Sequence, residues 1–518
     1  MSLFGGVELP NRPDPDNIRK LDLLPIPMIV KMQRYGMMID KDHFEDLSLT
    51  LNTRMAELRR DITSQIPAES LDRFCDVLDA TDEADDNDAE LLVEGVRREF
   101  AVDSSKQIAE LLYDVLQLHL STTAKIKKTK GGDRLSTGKK TLEQLKRDHP
   151  VVPMFLEYRE CSKLDGTYAR TMPRKARFHP GGDDCPVCGR FHYQDQWRVH
   201  TRIKTTRAVT GRTASDSPNL ANIPARSKLG GRIRAGFVAP YGFVMAQRDL
   251  SQIELRLMAD RSGDPTMIDI YMKDGDIHIA TAAGTFGLNY NDLMAMLGRK
   301  DAGLLTPEEK VYWDEFALYK RAPSKSTNFA VVYLITGLGL LDLMSVTFSS
   351  ANMPMPSYMD EDWCNAFIDK WFGLYDQVQK YLNAEEEKIR RFGIAWTPCG
   401  RVRRIPEVRS CHRYIQEAGL RQGCNHGIQG YSAEVMKLIM GEVNYRLEIL
   451  EKEYNIPSYP LQTIYDELLI ESEEDHGELI QCIMAEVMDN VLTDKQTGIN
   501  MCRVPIKSEG KIMSAWVK

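Results

Sequence analysis

Two acidic segments, far apart along the chain, carry the residue types that phosphoryl-transfer chemistry needs. Asp249 follows an apolar run and opens the sequence Asp-Leu-Ser-Gln-Ile-Glu, whereas Asp466 and Glu467 interrupt the apolar stretch 462–470. Adjacent carboxylates among apolar strand residues are costly unless a cation compensates them. Carboxylates on neighbouring strands could hold two magnesium ions. A single such pair is more typical of an exposed turn, so its interpretation depends on the segments that accompany it.

A second candidate segment lies between the two acidic ones. Arg321, Lys325, Phe329 and Tyr333 are spaced by four, which predicts that they follow one face of a helix. The two cations would neutralise triphosphate oxygens, and the two rings would stack near a sugar and a base. Pro323 fits only a first turn, so we expect the helix to begin near it, with Arg321 at or just before the cap. The stripe alone would equally suit an ordinary amphipathic helix.

Two polar segments could contact nucleic acid. Residues 210–226 form a predicted loop rich in asparagine and arginine, and residues 421–430 open a predicted helix with polar groups at a spacing of four. Donors such as Arg212, Asn425 and Gln429 suit minor-groove acceptors, which are nearly the same for all base pairs. Such contacts would sense base-pair geometry rather than sequence.

A cysteine and histidine cluster leaves two interpretations open. Cys185-Pro-Val-Cys188 has His179, His192 and His200 nearby, and these residue types could bind Zn²⁺. Only one Cys-x2-Cys pair is present, whereas a doubled pair is the more specific zinc pattern. The same residues would equally suit the tip of a β-hairpin.

Composition and charge narrow the class of protein. The chain has 518 residues, of which 42% are apolar and 27% are charged, as is typical of a soluble globular protein of several domains. Ten scattered cysteines and the lack of a secretory signal predict a reducing cytoplasm, and no apolar run is long enough for a membrane span. The net charge of −8 argues weakly against a polyanionic partner. Basic residues nevertheless cluster at 125–140, 198–212 and 401–404, and such clusters can create a local positive field whatever the total charge.

Hydrophobic periodicity predicts an α+β fold, with a sheet that carries the acids and helical lobes beside it. The predicted strands are 243–249, 401–406, 462–472 and 502–517. The predicted helices lie within 25–66, 104–118, 141–170, 250–260, 276–395 and 416–453.

Taken together, these segments resemble the family A DNA polymerases, the class of bacterial DNA polymerase I and many phage replicases. The likeness runs from about Pro25 to Trp516. The segment that begins at Asp249 resembles motif A, the Arg321–Tyr333 helix resembles motif B, and Tyr465-Asp466-Glu467 resembles motif C. The 210–226 loop is similar to the family's template–primer loop, and 421–429 to its second minor-groove segment.

The resemblance implies a right-hand polymerase with an antiparallel-sheet palm and a helical thumb and fingers. The implied domains are an N-terminal extension (1–24), the thumb (25–175), a first palm part with the Cys/His hairpin insertion (176–261), the fingers (262–400) and a second palm part (401–518).

The resemblance also implies residue roles. Two Mg²⁺ ions would be held by Asp249, Asp466 and the Leu250 carbonyl, and the implied catalytic residues are Asp249, Asp466, Lys325 and Glu467. The implied dNTP-binding residues are Arg321, Lys325, Phe329, His278, Glu254, Gln252 and Tyr333, where Glu254 would exclude a ribose 2′-hydroxyl and Lys325 would protonate the leaving pyrophosphate. The implied DNA-binding residues are Arg212, Asn219, Asn222, Arg226, Arg421, Asn425 and Gln429.

The chain departs from the family pattern at several positions. Tyr465 stands where motif C usually has histidine, and Leu334 replaces the glycine that commonly follows Tyr333. Only the residues before Pro25 precede the thumb-like region, whereas a proofreading 3′→5′ exonuclease domain needs on the order of 150 residues. We therefore expect a polymerase core whose proofreading is missing or supplied by a separate polypeptide, and a phage-type origin in a host cell cytoplasm.

The expected function is template-directed addition of dNTPs to a primer 3′-hydroxyl, with primer–template DNA and other replisome proteins as partners. A single-subunit RNA polymerase is one alternative, against which Glu254 argues because a ribonucleotide user must leave room for the 2′-hydroxyl. A catalytically silent DNA-binding or scaffold protein is another, against which the retained acids, Arg321 and Lys325 argue.

Overall fold

The computed structural model describes residues 15–67, 70, 74, 100–121, 128, 134–224, 227–351, 353–493 and 501–517. The chain divides into a larger unit, Met1–Lys41 with Met172–Met344 and Pro356–Lys518, and a smaller unit, Asp42–Thr171 with Ser345–Met355. Residues 80–90 are an acidic run that the sequence predicts to be a solvated loop. This run lies outside the described residues, as do residues 125–127 and 129–133 of the basic cluster at 125–140.

The α-helices are α1 (Pro15–Leu23), α2 (Ile26–Tyr35), α3 (Lys41–Ser64), α4 (Ser105–Ala109), α5 (Leu118–Ser121), α6 (Lys139–Leu145), α7 (Val151–Leu164), α8 (Thr171–Lys175), α9 (Lys228–Ala235), α10 (Ile253–Ser262), α11 (Pro265–Met272), α12 (Ile277–Phe286), α13 (Tyr290–Asp301), α14 (Pro307–Phe316), α15 (Ala322–Val331), α16 (Gly337–Ser350), α17 (Glu361–Leu374), α18 (Asp376–Phe392), α19 (Arg413–Asn425), α20 (Tyr431–Tyr454) and α21 (Gly477–Asn490). The strands are β1 (Met37–Met38), β2 (Arg177–His179), β3 (Gln196–Val199), β4 (Arg202–Lys204), β5 (Ala214–Asp216), β6 (Phe243–Leu250), β7 (Ile394–Trp396), β8 (Val402–Arg404), β9 (Ser458–Ile464), β10 (Glu467–Glu473) and β11 (Ser508–Met513). Turns of π-helix occupy Glu110–Val115, Asp165–Ala169, Ala317–Arg321 and His426–Gly430.

A four-stranded antiparallel sheet in the order β11-β6-β10-β9 is the centre of the larger unit. Strands β9 and β10 are buried along nearly their whole length, although each carries polar residues, among them Gln462, Glu471 and Ser472. Helices α20 and α21 contribute many of the buried residues of the large core cluster beside it. Smaller sheets pair β1 and β2 with β3, β4 with β5, and β7 with β8.

The smaller unit has its own helical core. One face of α3 is buried at Leu47, Leu51, Leu58 and Ile62, whose spacing of four or seven residues is that of one helical face. Part of this face packs with apolar residues of α4, α6 and α7 in a separate cluster. The helix predicted over 141–170 is interrupted between α6 and α7, because Pro150 has no amide hydrogen to continue the hydrogen-bond ladder.

The predicted strand ending at Asp249, the helix after it and the helical region 276–395 are present within a few residues of their expected ends. The terminal strand is also present, but β11 (Ser508–Met513) is much shorter than the predicted 502–517. Among the described residues, no helix has both the length and the apolar character needed to cross a membrane.

Helix α20 buries two charged side chains, Glu434 and Lys437. Glu434 Oε1 accepts a hydrogen bond from Thr397 Oγ1 at 2.6 Å and lies 3.4 Å from Arg401 Nε, while Lys437 Nζ is 2.6 Å from Asp22 Oδ1. Burial outweighs these partners and raises the pKa of Glu434 to about 7.

We expect Glu434→Gln to stabilise the protein increasingly as the pH rises from about 5 to 8. The folded-state pKa exceeds the ordinary carboxyl value, so the folded chain binds the proton more tightly, and this contribution to stability is lost as the pH rises through about 7. Glutamine has no proton to lose, and the difference should reach on the order of 3 kcal/mol above pH 7. Thermal unfolding of wild type and variant at about pH 5 and pH 8 measures this difference in stability, with Glu453→Gln, at an exposed position of the same helix, as the control. An equal change in unfolding temperature at the two pH values would contradict the raised pKa of Glu434.

Candidate active site

The register of the central sheet brings the two predicted acidic segments together. Asp249 on β6 lies opposite Glu467 on β10 and opposite Glu509 on β11. The Leu250 amide donates a hydrogen bond to the Asp466 carbonyl at 3.1 Å, which fixes the turn that carries Asp466 beside the end of β6. Facing carboxylates on neighbouring strands repel each other, so this edge of the sheet favours a cation.

Glu467 differs from the two aspartates in its surroundings. It is buried, it accepts a hydrogen bond from Trp516 Nε1 at 3.2 Å, and Arg234 Nη1 lies 3.9 Å from the same oxygen. Burial lowers the pKa of Arg234, while Glu467 and Asp249 both act to raise it, so this guanidinium lies near both acids. The contacts of Glu467 suit a residue that holds the hairpin in place.

Three residues around the site have the left-handed backbone that normally favours glycine. They are Gln252 (φ 55°), Leu334 (φ 50°) and Tyr465 (φ 57°). Leu334 is the position where the resembled family commonly has glycine, so the leucine adopts the backbone that glycine would take freely, at a cost of about 1–2 kcal/mol. Such strained positions concentrate at functional sites.

Tyr465 joins the acidic hairpin to the 210–226 loop. Its hydroxyl donates a hydrogen bond to Asn222 Oδ1 at 2.6 Å, and the Arg212 guanidinium lies 5.4 Å from the centre of its ring. A tyrosine in place of the usual histidine therefore gives the turn a contact with a loop predicted to bind DNA.

A second group of predicted residues forms one polar network. Arg212 pairs with Glu254, Gln429 hydrogen bonds to Glu254, and Gln429 Nε2 donates to the Tyr333 hydroxyl at 3.0 Å. Burial and the nearby Asp466 raise the pKa of Glu254, whereas Arg212 lowers it. Residues from four separate segments thus meet beside the acidic edge.

The helix bearing Gln429 differs from the prediction. Residues 421–430 were expected to open a helix, but they continue α19 into the π-turn His426–Gly430 and then α20. Asn425 Nδ2 donates to Gln429 Oε1 at 3.4 Å across this turn. A π-turn widens the helix locally and often marks a functional position.

Two of the four residues of the predicted stripe, Lys325 and Phe329, lie on α15. Lys325 and Phe329 are exposed, whereas Ser324, Thr327 and Asn328 are buried, so the stripe faces away from the core. Arg321 occupies the predicted cap position, but the chain before it is already helical, and Tyr333 lies in the turn after Val331 instead of on the helix. The π-turn Ala317–Arg321 makes room for Pro323, which cannot continue a regular ladder.

His278 lies against this helix. Its ring centre is 5.3 Å from that of Phe329, and its neighbour Asp276 caps α12 and pairs with Arg321 Nη2 at 2.8 Å. Burial above all lowers the pKa of His278 to about 4; Asp276 acts to raise this pKa, and Arg321 and Lys325 act to lower it. The imidazole is therefore neutral at pH 7.

Asn328, which the sequence did not single out, fixes the tautomer of that imidazole. Trp371 Nε1 can only donate, and it donates to Asn328 Oδ1 at 2.6 Å. Asn328 Nδ2 therefore donates to His278 Nδ1 at 2.9 Å, which leaves the ring proton on Nε2. The sequence analysis also missed Arg234, Asp276 and Trp516. Of these, only Asp276 could have been recognised from the sequence, because an aspartate directly before an apolar helical segment is a typical N-cap.

The remaining predicted residues are more dispersed. Gln252 Oε1 accepts from the Tyr271 hydroxyl at 3.2 Å, and Asn219 Oδ1 accepts from Ser215 within its own loop. Arg421 and Tyr333 line one side of an open cleft of about 380 Å³ together with Ala330, Leu334, Ile335, Thr336 and Gly339. Arg226 lies outside the described residues.

The acidic edge has the chemistry of a magnesium site. Asp249, Asp466 and the Leu250 carbonyl offer hard oxygen ligands, which Mg²⁺ prefers over nitrogen or sulfur. The repulsion between Asp466 and Glu254 means that a divalent cation here would neutralise an unfavourable field. The residues present therefore fit the predicted metal.

Comparisons with known proteins point to one family. The family model described as DNA polymerase family A matches residues 79–302 and 308–518. DNA polymerase I of Deinococcus radiodurans is 31% identical over 462 residues, which cover 89% of this chain and 39% of that protein. The thermostable DNA polymerase I of Thermus aquaticus is 31% identical over 418 residues, which cover 81% of this chain and 42% of that protein.

A solved structure is similar in fold. The POL domain of Pol1 from M. smegmatis, in complex with DNA primer-template and dNTP, superposes with a TM-score of 0.70 and 23% identity, covering 97% of this chain and 72% of that one. This likeness confirms the predicted α+β polymerase fold class. The chain spans about two fifths of the length of the curated relatives it matches.

We expect the His278 ring to stay neutral between about pH 5 and 8, because burial and the nearby cations disfavour its charged form. NMR of histidine-labelled protein, assigned with His278→Gln, measures this as a chemical shift that does not change over the range. Asn328→Asp is the matched variant, since a carboxylate beside Nδ1 should raise the pKa of His278 by about one unit or more. A wild-type titration midpoint between about 6 and 7 would contradict the assigned hydrogen bonds.

Proposed function

This chain belongs to DNA polymerase family A, and we propose that it is a template-directed DNA polymerase that adds dNTPs to a primer 3′-hydroxyl. The observation that carries the proposal is the register that sets Asp249 against the Asp466–Glu467 hairpin, with Arg321, Lys325 and His278 grouped on neighbouring helices of the same unit. Negative oxygen ligands and positive phosphate-binding groups are the two parts that phosphoryl transfer requires.

In this proposal Asp249, Asp466 and the Leu250 carbonyl hold two magnesium ions. When bound, these ions would lower the pKa of the primer hydroxyl and neutralise charge on the leaving pyrophosphate. Glu467, tied to Trp516 and Arg234, positions the hairpin.

The exposed face of α15 binds the incoming triphosphate. Arg321 and Lys325 supply positive charge to its oxygens, and Lys325 donates a proton to the departing pyrophosphate. The neutral His278 donates a hydrogen bond from Nε2 without adding charge, because Asn328 occupies its other nitrogen. Catalysis then comes mainly from positioning and charge neutralisation.

The polar network checks the sugar and the nascent base pair. Glu254 blocks the space that a ribose 2′-hydroxyl needs, and its pairing with Arg212 and Gln429 holds it in place. Tyr333 stacks at the templating position beside the open cleft, and Gln252 and Phe329 complete the nucleotide site.

Minor-groove contacts come from Arg212, Asn425 and Gln429, with Asn219, Asn222, Arg226 and Arg421 as further DNA contacts. The proposal includes the domain assignments: the thumb (25–175), the palm (176–261 and 401–518) and the fingers (262–400). It also includes activity in the cytoplasm, a phage-type source, and association with other replisome proteins or a separate exonuclease.

We expect Asp249→Asn and Asp466→Asn each to reduce primer extension by more than about a thousandfold, since each removes a charged magnesium ligand. Binding of primer–template DNA, measured by fluorescence anisotropy, should change little. Asp269→Asn, an exposed acid on α11 that pairs with Lys273, is the control and should extend normally. Extension at the wild-type rate by either palm variant would reject the assignment, and no extension by the wild type would favour a silent DNA-binding protein.

We expect Glu254→Ala to raise ribonucleotide incorporation relative to deoxyribonucleotide incorporation by at least about tenfold, because it opens space beside the sugar. Single-nucleotide insertion kinetics with matched rNTP and dNTP measure the ratio. Arg212→Ala distinguishes the effect of the Glu254 side chain from the effect of the ion pair, because it removes Arg212 and keeps Glu254. Equal sugar selectivity in Glu254→Ala and wild type would contradict the role of Glu254, and wild-type preference for rNTPs would favour an RNA polymerase.

A further inference from the structure

Four metal-binding side chains meet away from the acidic edge, in the hairpin that follows β2. They are His179, Cys185, Cys188 and His192, all buried, and one ligand atom from each lies within 4.8 Å of all the others. Cys185 Sγ is 3.3 Å from His179 Nδ1, and Cys188 Sγ is 3.1 Å from His192 Nε2.

We propose that this hairpin binds one structural Zn²⁺ ion through His179 Nδ1, Cys185 Sγ, Cys188 Sγ and His192 Nε2. Tetrahedral zinc with bonds of about 2.3 Å to sulfur and about 2.0–2.1 Å to nitrogen separates sulfur from nitrogen by about 3.6 Å. The two observed sulfur–nitrogen distances are within about half an ångström of that value. Two cysteines and two histidines are a ligand set typical of closed, structural zinc sites.

A hydrogen-bond chain behind His179 presents the correct nitrogen. His200 Nδ1 is 2.9 Å from the Gln33 carbonyl, which can only accept, so the proton of that ring lies on Nδ1 and its Nε2 is an acceptor. His179 Nε2 is 3.0 Å from that acceptor and therefore carries the proton of its own ring. The lone pair of His179 is left on Nδ1, toward Cys185. Outer hydrogen bonds of this kind orient histidine ligands in metal sites.

The turn between the cysteines has the backbone of a compact metal-binding loop. The Gly189 amide donates to the Cys185 carbonyl at 2.7 Å, and the Cys185 amide donates to the Arg190 carbonyl at 2.9 Å. Gly189 has a φ of 70°, which a side chain would disfavour. The Arg190 backbone also hydrogen bonds to Cys188.

The proposed ion would fix a hairpin that is tied to the central sheet. Arg190, between the second cysteine and the second histidine ligand, pairs with the buried Glu471 of β10 at 2.8 Å and lies 3.2 Å from the centre of the Tyr459 ring. Arg198 of β3 pairs with the other oxygen of Glu471 at 3.0 Å. Zinc would therefore hold Arg190 in place against the strand that also carries Glu467, and its role is structural and independent of the proposed polymerase activity.

The alternative is a metal-free core in which two thiols hydrogen bond to two imidazoles. The metal content of the 518-residue chain, purified without chelators from zinc-supplemented cells, distinguishes the two. We expect about one zinc per chain in the wild type and less than about 0.1 in Cys185→Ser/Cys188→Ser. The matched control is Cys411→Ser/Cys482→Ser, which changes two exposed cysteines and should retain zinc.

A second measurement uses the wild-type chain alone, in case the double variant does not fold. After chelation and addition of Co²⁺, a thiolate-ligated tetrahedral site should give strong sulfur-to-cobalt charge-transfer bands and visible d–d bands, and chelation should lower the thermal unfolding midpoint. A wild type without zinc, equal zinc in the two double variants, or cobalt spectra lacking thiolate bands would each overturn the proposal.

Discussion

The antiparallel pairing of β6 with β10 in one register is the constraint on which the candidate site depends. A shift of one residue would turn Asp249 to the opposite face of the sheet and separate it from the acidic hairpin. Several contacts hold the register at both ends of β10. Trp516 and Arg234 hold Glu467 near the turn, while Arg190 and Arg198 hold Glu471 farther along the strand. An unpaired buried carboxylate would cost several kcal/mol, so the pairing of these two buried acids with their cations favours this register over others.

Opposite charges in the site are kept on separate elements. The carboxylates lie at the end of the sheet, whereas Arg321 and Lys325 lie at the start of α15, where Asp276 pairs with Arg321. Burial and both cations disfavour protonation of His278 and outweigh Asp276, which favours it, while Asn328 donates to its acceptor nitrogen. The candidate site thus combines the charged groups that we propose to bind phosphate with a neutral donor of fixed orientation, and preorganised donors of this kind lose little entropy when they bind.

Much of the fold and the acidic residues at the end of the central sheet could be predicted from the sequence, because periodicity and short motifs are local signals. The strand ending at Asp249 and the buried face of α3 are examples. The π-turns, the left-handed backbone of Leu334 and the Asn328 hydrogen bonds could not, since they depend on contacts between distant segments. The Cys/His hairpin was ambiguous for the same reason, because spacing alone does not show that His179 returns to the cysteines.

Because of the π-turn Ala317–Arg321, the number of residues in this segment determines how α14 is oriented relative to α15. A π-turn is an α-helix with one additional residue, and each residue of an α-helix turns the chain by about 100°. Removing one residue from the turn would restore regular α-helical hydrogen bonds up to Pro323. It would also rotate α14 by about 100° relative to Arg321 and Lys325. The helix can therefore vary in composition here far more readily than in length, and insertions or deletions in homologous chains should avoid these five positions.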